Sequence, residues 1–124
     1  MGRTKKFICA VAALALAVSL FTMKAMAISY SSVTYDTTKP VYRTRVRNDT
    51  GAAYTLSVNT RPTTTMDAVV ELRTSDETIL QSSTFPWQVA RTDWQVTIPS
   101  GEIRRLYVGP AVPGERVAGT LYYK

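Results

Sequence analysis

From residue 28 onward the chain carries no helical period. Apolar residues recur at every second position in short runs, and each run ends in a cluster of turn-forming residues. The clearest case is Asp93–Val108. Trp94, Val96 and Ile98 alternate with Asp93, Gln95 and Thr97, and later Leu106 and Val108 alternate with Arg105 and Tyr107. Side chains of a strand point alternately to its two faces, so each half has one apolar face and one polar face. Pro99-Ser100-Gly101-Glu102 lies between them and supplies a fixed φ, a small polar residue and a permissive glycine. The stretch predicts an antiparallel hairpin against which the rest of the domain packs.

The same reading applies along the chain. Ile28–Tyr35 is a first strand, serine-rich and weakly patterned, and is expected at a sheet edge. Its edge-strand candidates are Ile28, Tyr30, Ser32, Val33 and Tyr35. After a turn at Asp36–Pro40, Val41–Arg47 sets Tyr42, Thr44 and Val46 on one face and Arg43, Arg45 and Arg47 on the other. Asn48-Asp49-Thr50-Gly51 predicts a hairpin turn into Ala52–Asn59. Strands follow at Asp67–Arg73 and Thr78–Phe85 with a turn at Thr74–Glu77 between them, then an irregular crossing, Pro86–Thr92, that carries Trp87. Beyond the central pair, a Pro/Gly loop at Gly109–Gly114 leads to a last strand, Val117–Lys124.

About eight short strands with turns between them predict an all-β, antiparallel sandwich. In architecture alone the chain resembles the immunoglobulin-like and fibronectin-type sandwiches common among exported bacterial proteins. That resemblance implies two packed sheets and nothing about activity, because fold alone does not carry function.

Residues 1–27 read as a signal peptide. Arg3, Lys5 and Lys6 precede the apolar run Phe7–Met23, and Ala25-Met26-Ala27 is a small-x-small cleavage site. The run is short for a retained membrane span, which needs about 20 apolar residues. Cys9 stands near its start, where a lipoprotein cysteine would not be. The expectation is therefore a secreted, cell-surface or periplasmic protein that meets the membrane only before cleavage. It leaves a single domain, residues 28–124, without a cysteine. Loss of Arg3, Lys5, Lys6 and Lys24 leaves 11 basic residues against 9 acidic ones, a net charge of +2 instead of +6. So weak an excess gives no support to nucleic-acid binding.

The domain also lacks histidine. Ser-His-Asp and Cys-His centres and His/Cys zinc sites are thereby excluded. The acids stand mainly in turns (Asp36, Asp49, Asp76, Glu77, Glu102, Glu115), where solvated turn-formers belong. No catalytic, cofactor or metal site is expected.

Binding candidates are the arginine ladder and the aromatics. Arg43, Arg45 and Arg47 at spacing two fall roughly 6–7 Å apart along one face. They suit an anionic polysaccharide, a lipid phosphate or an acidic protein strip, or else simply a solvated face. Arg104 and Arg105, being adjacent, point to opposite faces. Trp94 belongs to the core pattern, whereas Trp87 is either a loop anchor or an exposed contact. Tyr122 and Tyr123 are consecutive, so at most one faces a core. Asn48-Asp49-Thr50 fits a glycosylation acceptor but reads as turn chemistry.

The expected function is that of a non-catalytic interaction or structural protein, part of a cell-surface or extracellular assembly, pairing with itself or a protein partner through an edge strand such as Ile28–Tyr35. The alternative is a small carbohydrate- or anion-binding module built on Arg43, Arg45 and Arg47 with Trp87 or Tyr122. A protease-inhibitor role rests on size and fold alone.

Overall fold

The computed structural model describes residues 30–124. The expected leader, 1–27, and Ile28 of the candidate edge strand lie outside the described residues. Eight strands follow in order: β1 (Ser31–Thr37), β2 (Val41–Arg47), β3 (Tyr54–Thr60), β4 (Ala68–Arg73), β5 (Ile79–Phe85), β6 (Trp94–Ile98), β7 (Ile103–Pro110) and β8 (Val117–Tyr123). All pairings are antiparallel, and no helix occurs among the described residues. The first strand starts at Ser31, so Tyr30 precedes it, and it runs on through Asp36 and Thr37, expected as turn residues.

The strands form two four-stranded sheets, β1-β8-β3-β6 and β2-β7-β4-β5. This order follows from one operation. Folding the chain in half at the β4–β5 hairpin makes a ribbon with β4 against β5, β3 against β6, β2 against β7 and β1 against β8. Rolling that ribbon up brings β8 beside β3 and β7 beside β4, which closes the two sheets. The result is a jelly roll, the eight-stranded double Greek key. The antiparallel sandwich is as expected, but the immunoglobulin-like order is corrected. In that order the first two strands pair in one sheet, whereas here β1 and β2 lie in different sheets.

Two expected hairpins are corrected with it. β2 and β3 belong to different sheets, as do β6 and β7, so Asn48–Gly51 and Pro99–Glu102 are arches between sheets. The turn chemistry is present all the same: the Glu102 amide donates to the Pro99 carbonyl at 3.1 Å. A turn reverses the chain, but it does not decide whether the strands it joins bond to each other or to distant partners.

Asn48 locks both arches together. It is 2% exposed. Its Nδ2 donates to the Ala52 carbonyl at 2.7 Å and the Ile98 carbonyl at 2.8 Å, one on each arch. Its Oδ1 accepts from the Thr50 amide at 3.0 Å and the Thr50 hydroxyl at 2.7 Å. The Asn48 amide donates to the Glu102 carbonyl at 3.0 Å, and the Gly101 amide donates back to the Asn48 carbonyl at 2.8 Å. Gly101 sits at φ 81°, a left-handed turn that a side chain would strain. A side-chain amide with both donors and both acceptor positions used inside the protein is doing turn work, as expected of this tripeptide.

The core lies between the sheets and is made of the inward members of the alternating runs. Leu56, Val58, Val96, Ile98, Val117 and Leu121 come from one sheet, and Ala68, Val70, Leu72, Phe85, Leu106 and Val108 from the other. Fully burying one large apolar side chain stabilises by about 1.5–3 kcal/mol. The described residues contain no cysteine, so this packing carries the fold. Trp94 and Tyr123 are half-buried and pack at its margin.

Two contacts are tight enough to specify glycine. A Cβ on Gly109 would lie 2.7 Å from Pro40 Cα, on the crossing from β1 to β2. A Cβ on Gly119 would lie 2.8 Å from the Tyr35 hydroxyl oxygen. That hydroxyl meets Thr60 Oγ1 at 2.7 Å, and the Thr60 hydroxyl donates to the Thr120 carbonyl at 2.6 Å. Thr60 has one proton to give, so Tyr35 is the donor to Thr60. Burial pushes the Tyr35 phenol above its ordinary pKa.

Candidate functional site

The arginines lie on the outer face of the sheet β2-β7-β4-β5, but not as a simple ladder. The β2–β7 register shifts between Tyr42 and Thr44, so Tyr42 opposes Tyr107, Thr44 opposes Leu106, and Arg43 is an extra residue. The bulge reverses the parity before it. Tyr42 joins Arg45 and Arg47 on the outer face, while Val41, Thr44 and Val46 oppose inward-facing partners. The bulge interrupts the expected even ladder: Arg45 and Arg47 keep their place on the outer face, while Arg43 is the residue without a cross-strand partner. Arg43 is half-buried, and its Nε is shielded from solvent with no hydrogen-bond partner.

Register then assembles two outer rows. One is Tyr42–Tyr107–Glu71–Ser82, the next Arg45–Arg105–Arg73–Ile79. The rows interlock. Tyr42 and Tyr107 meet edge to face with centroids 5.8 Å apart, and the Arg73 guanidinium lies 3.8 Å above the Tyr107 ring. This cover explains why Tyr107 is 7% exposed although it faces away from the core. The Arg105 guanidinium lies 5.5 Å from the Tyr42 ring centroid, and Tyr42 itself is 42% exposed.

Charge is unevenly balanced across this face. Arg73 is neutralised by Glu71, whose Oε1 accepts from Nε at 2.9 Å, with Glu77 at 3.9 Å. Arg47 has one long contact, 3.8 Å, to Asp49, and both are well exposed. Arg43, Arg45 and Arg105 have no ion pair among the described residues. Arg104 points to the opposite face from Arg105, as its sequence position requires, and pairs with Glu102 at 3.3 Å.

Trp87 and Tyr122 do not join the arginines. Tyr122 lies on the outer face of the other sheet, in the row Ser32–Tyr122–Asn59. Trp87 follows Phe85, whose row is Ala68–Pro110, five residues along β4 from Arg73 and so about 17 Å away. It is half-buried, and its amide donates to Asp67 Oδ1 at 3.0 Å, which makes it a loop anchor. The residues missed at sequence level are Tyr42 and Arg105. Their outward pattern on β7, Arg105 then Tyr107, mirrors Arg45 then Tyr42 on β2 once the extra residue is removed.

The sheet edges form the second candidate site. Among the described residues the edges are β1 and β6 in one sheet and β2 and β5 in the other. β2 carries the bulge and three arginines. In β5 the partner of Leu72 is Gln81 and that of Arg73 is Ile79, so Leu80 bulges out. β6 has only 5 residues and ends against Pro99. Bulges, charges, shortness and proline are the devices that discourage edge pairing. β1 has no bulge, no proline and no unpaired charge. It holds 7 consecutive register pairs with β8 without a shift. Its one charge, Asp36, is held by Arg116 at 2.8 and 2.9 Å, which keeps that carboxyl below its ordinary pKa. Ser32, Thr34 and Asp36 are exposed, Val33 is half-buried and Tyr35 is buried.

The remaining acids serve turns and loops. Asp76 accepts from the Thr74 and Thr78 hydroxyls, which lowers its pKa, and Asp93 accepts from Asn59 Nδ2 at 2.7 Å. No cluster of three or more His, Cys, Asp or Glu side chains that could hold a metal ion occurs among the described residues. No protein-family model, curated protein or solved structure matches the chain.

Proposed function

We propose that this is an exported, non-catalytic interaction protein, released from its leader after Ala27, that builds a cell-surface or extracellular assembly by adding a strand at β1. The observation that carries this reading is the contrast among the four edges: three are blunted and β1 is left long, regular and uncharged apart from a paired Asp36. Backbone groups along such an edge suit β-augmentation, in which main-chain hydrogen bonds hold a strand from a second copy or a partner. The histidine- and cysteine-free domain and the engagement of its acids in turns favour binding over catalysis.

Light scattering after gel filtration, on protein recovered from the exported fraction, tests it. The parent is expected as a concentration-dependent series of multiples. Thr34→Lys places a charge on the exposed flank of β1 and is expected to return the monomer with unchanged circular dichroism. A parent that stays monomeric at every concentration, with no partner strand bound, sinks the reading.

A further inference from the structure

We infer that the outer face of β2 and β7, centred on Arg45, Arg105 and Tyr42, binds an acidic polysaccharide. Arg45 and Arg105 are direct cross-strand partners, so their Cβ atoms lie about 5 Å apart, and like charges so placed destabilise a sheet. The neighbouring position in the same row shows the ordinary remedy, since Arg73 has Glu71 and Glu77. Arg45 and Arg105 have no such acid among the described residues. A multiply charged anion resolves this repulsion.

The aromatic component narrows the anion to a sugar acid. Tyr42 is a half-exposed ring held edge-on by Tyr107, which is clamped in turn by Arg73. A rigid ring suits the apolar face of a sugar, and adjacent guanidiniums suit its carboxylates or sulfates in two-point contacts. A flat strand face with guanidiniums in successive rows, and Arg47 roughly 6–7 Å beyond Arg45, matches a linear polymer better than a compact anion. The strands of the other sheet carry no lysine or arginine, and its outer face presents Thr34, Thr55, Ser57 and Thr120 at comparable positions.

This inference does not rest on assembly through β1, which belongs to the other sheet, and its readout is independent of oligomeric state. Calorimetric titration of the exported protein with polygalacturonate and heparin, with dextran as the neutral control, tests it. Binding is expected to both acidic polymers and not to dextran, and to weaken as salt rises. Arg45→Ala and Arg105→Ala are each expected to weaken it about tenfold, and the double variant further. Tyr42→Ala is expected to weaken polygalacturonate binding, while Thr55→Ala on the far sheet leaves it unchanged. If the double variant folds poorly, Arg45→Gln at its exposed site gives the same readout. Absence of binding, or binding unchanged in these arginine variants, overturns the inference. Tighter binding of poly-glutamate, insensitive to Tyr42→Ala, overturns the polysaccharide in favour of an acidic protein strip.

Discussion

Replacing Asn48 removes the one side chain that bonds both arches at once. Asn48→Ala deletes two donated and two accepted hydrogen bonds, of 2.7, 2.8, 3.0 and 2.7 Å. A net hydrogen bond is worth about 1 kcal/mol, and a buried carbonyl left unpaired costs about 1–3 kcal/mol. The Ile98 carbonyl is the buried one, whereas Ala52 and Thr50 lie where water can reach. The loss is therefore about 3 kcal/mol. For a domain near 100 residues, each kcal/mol moves Tm by about 4–8 °C, so the melt should fall by about 12–24 °C. Asn48→Asp should be worse than alanine, because it turns an acceptor and a charge toward two carbonyls. Thr50→Ala should cost less than either. Circular dichroism melts and urea midpoints measure all three. An Asn48→Ala melt within a few degrees of the parent, or an aspartate variant as stable as the parent, would refute the reasoning that this residue ties the sheets together.

Three further outcomes follow from the geometry. Gly109→Ala drives a Cβ to 2.7 Å from the Pro40 backbone, which cannot move without shifting the β1–β2 crossing, so it should destabilise by about 1–3 kcal/mol in a urea titration; a neutral variant contradicts the packing. Gly119→Ala should also destabilise, but Tyr35→Phe removes the oxygen 2.8 Å from the new Cβ, so the double variant should be more stable than the two single losses summed; strict additivity would count against the contact. Asp36, beside Arg116, and Asp76, under the Thr74 and Thr78 hydroxyls, both have lowered pKa values in the fold. Stability from such groups is fully present above their unfolded pKa, near 4, and is lost as pH falls through the folded values. Melts between pH 5 and pH 2 should therefore decline below about pH 4, and Asp36→Asn with Asp76→Asn should flatten that decline; an unchanged acid limb in the double variant contradicts it.

The strands and the core were legible because period-two alternation is a local signal. Val41–Arg47 has the expected bounds, and Leu56, Val58, Val96, Ile98, Leu106 and Val108 all fall inward as their spacing requires. Pairing was not legible. Whether the strand before Asn48 bonds to the strand after it depends on β7 and β8, more than 50 residues away, whose partners no local pattern specifies. The Arg43 bulge was hidden for the same reason. An alternating sequence looks continuous until its partner strand shows one residue too many. That single slip moved Tyr42 to the outer face and left Arg43 without a partner, and only register revealed Arg105 opposite Arg45. Tyr107 shows the converse: its outward parity was readable, but its burial under Tyr42 and Arg73 was not.

Strand addition at β1 makes a direct claim about amide protons. Hydrogen exchange of the peptide spanning Ser31–Thr37, measured by mass spectrometry at several protein concentrations, reads it. Outward amides of an open edge exchange fast in a monomer and become protected when a strand is added. The account expects protection at Ser31–Thr37 to rise with concentration while the blunted edges Val41–Arg47 and Ile79–Phe85 stay unchanged. Exchange at β1 that is independent of concentration and of added partner, or protection rising at another edge in its place, would contradict it.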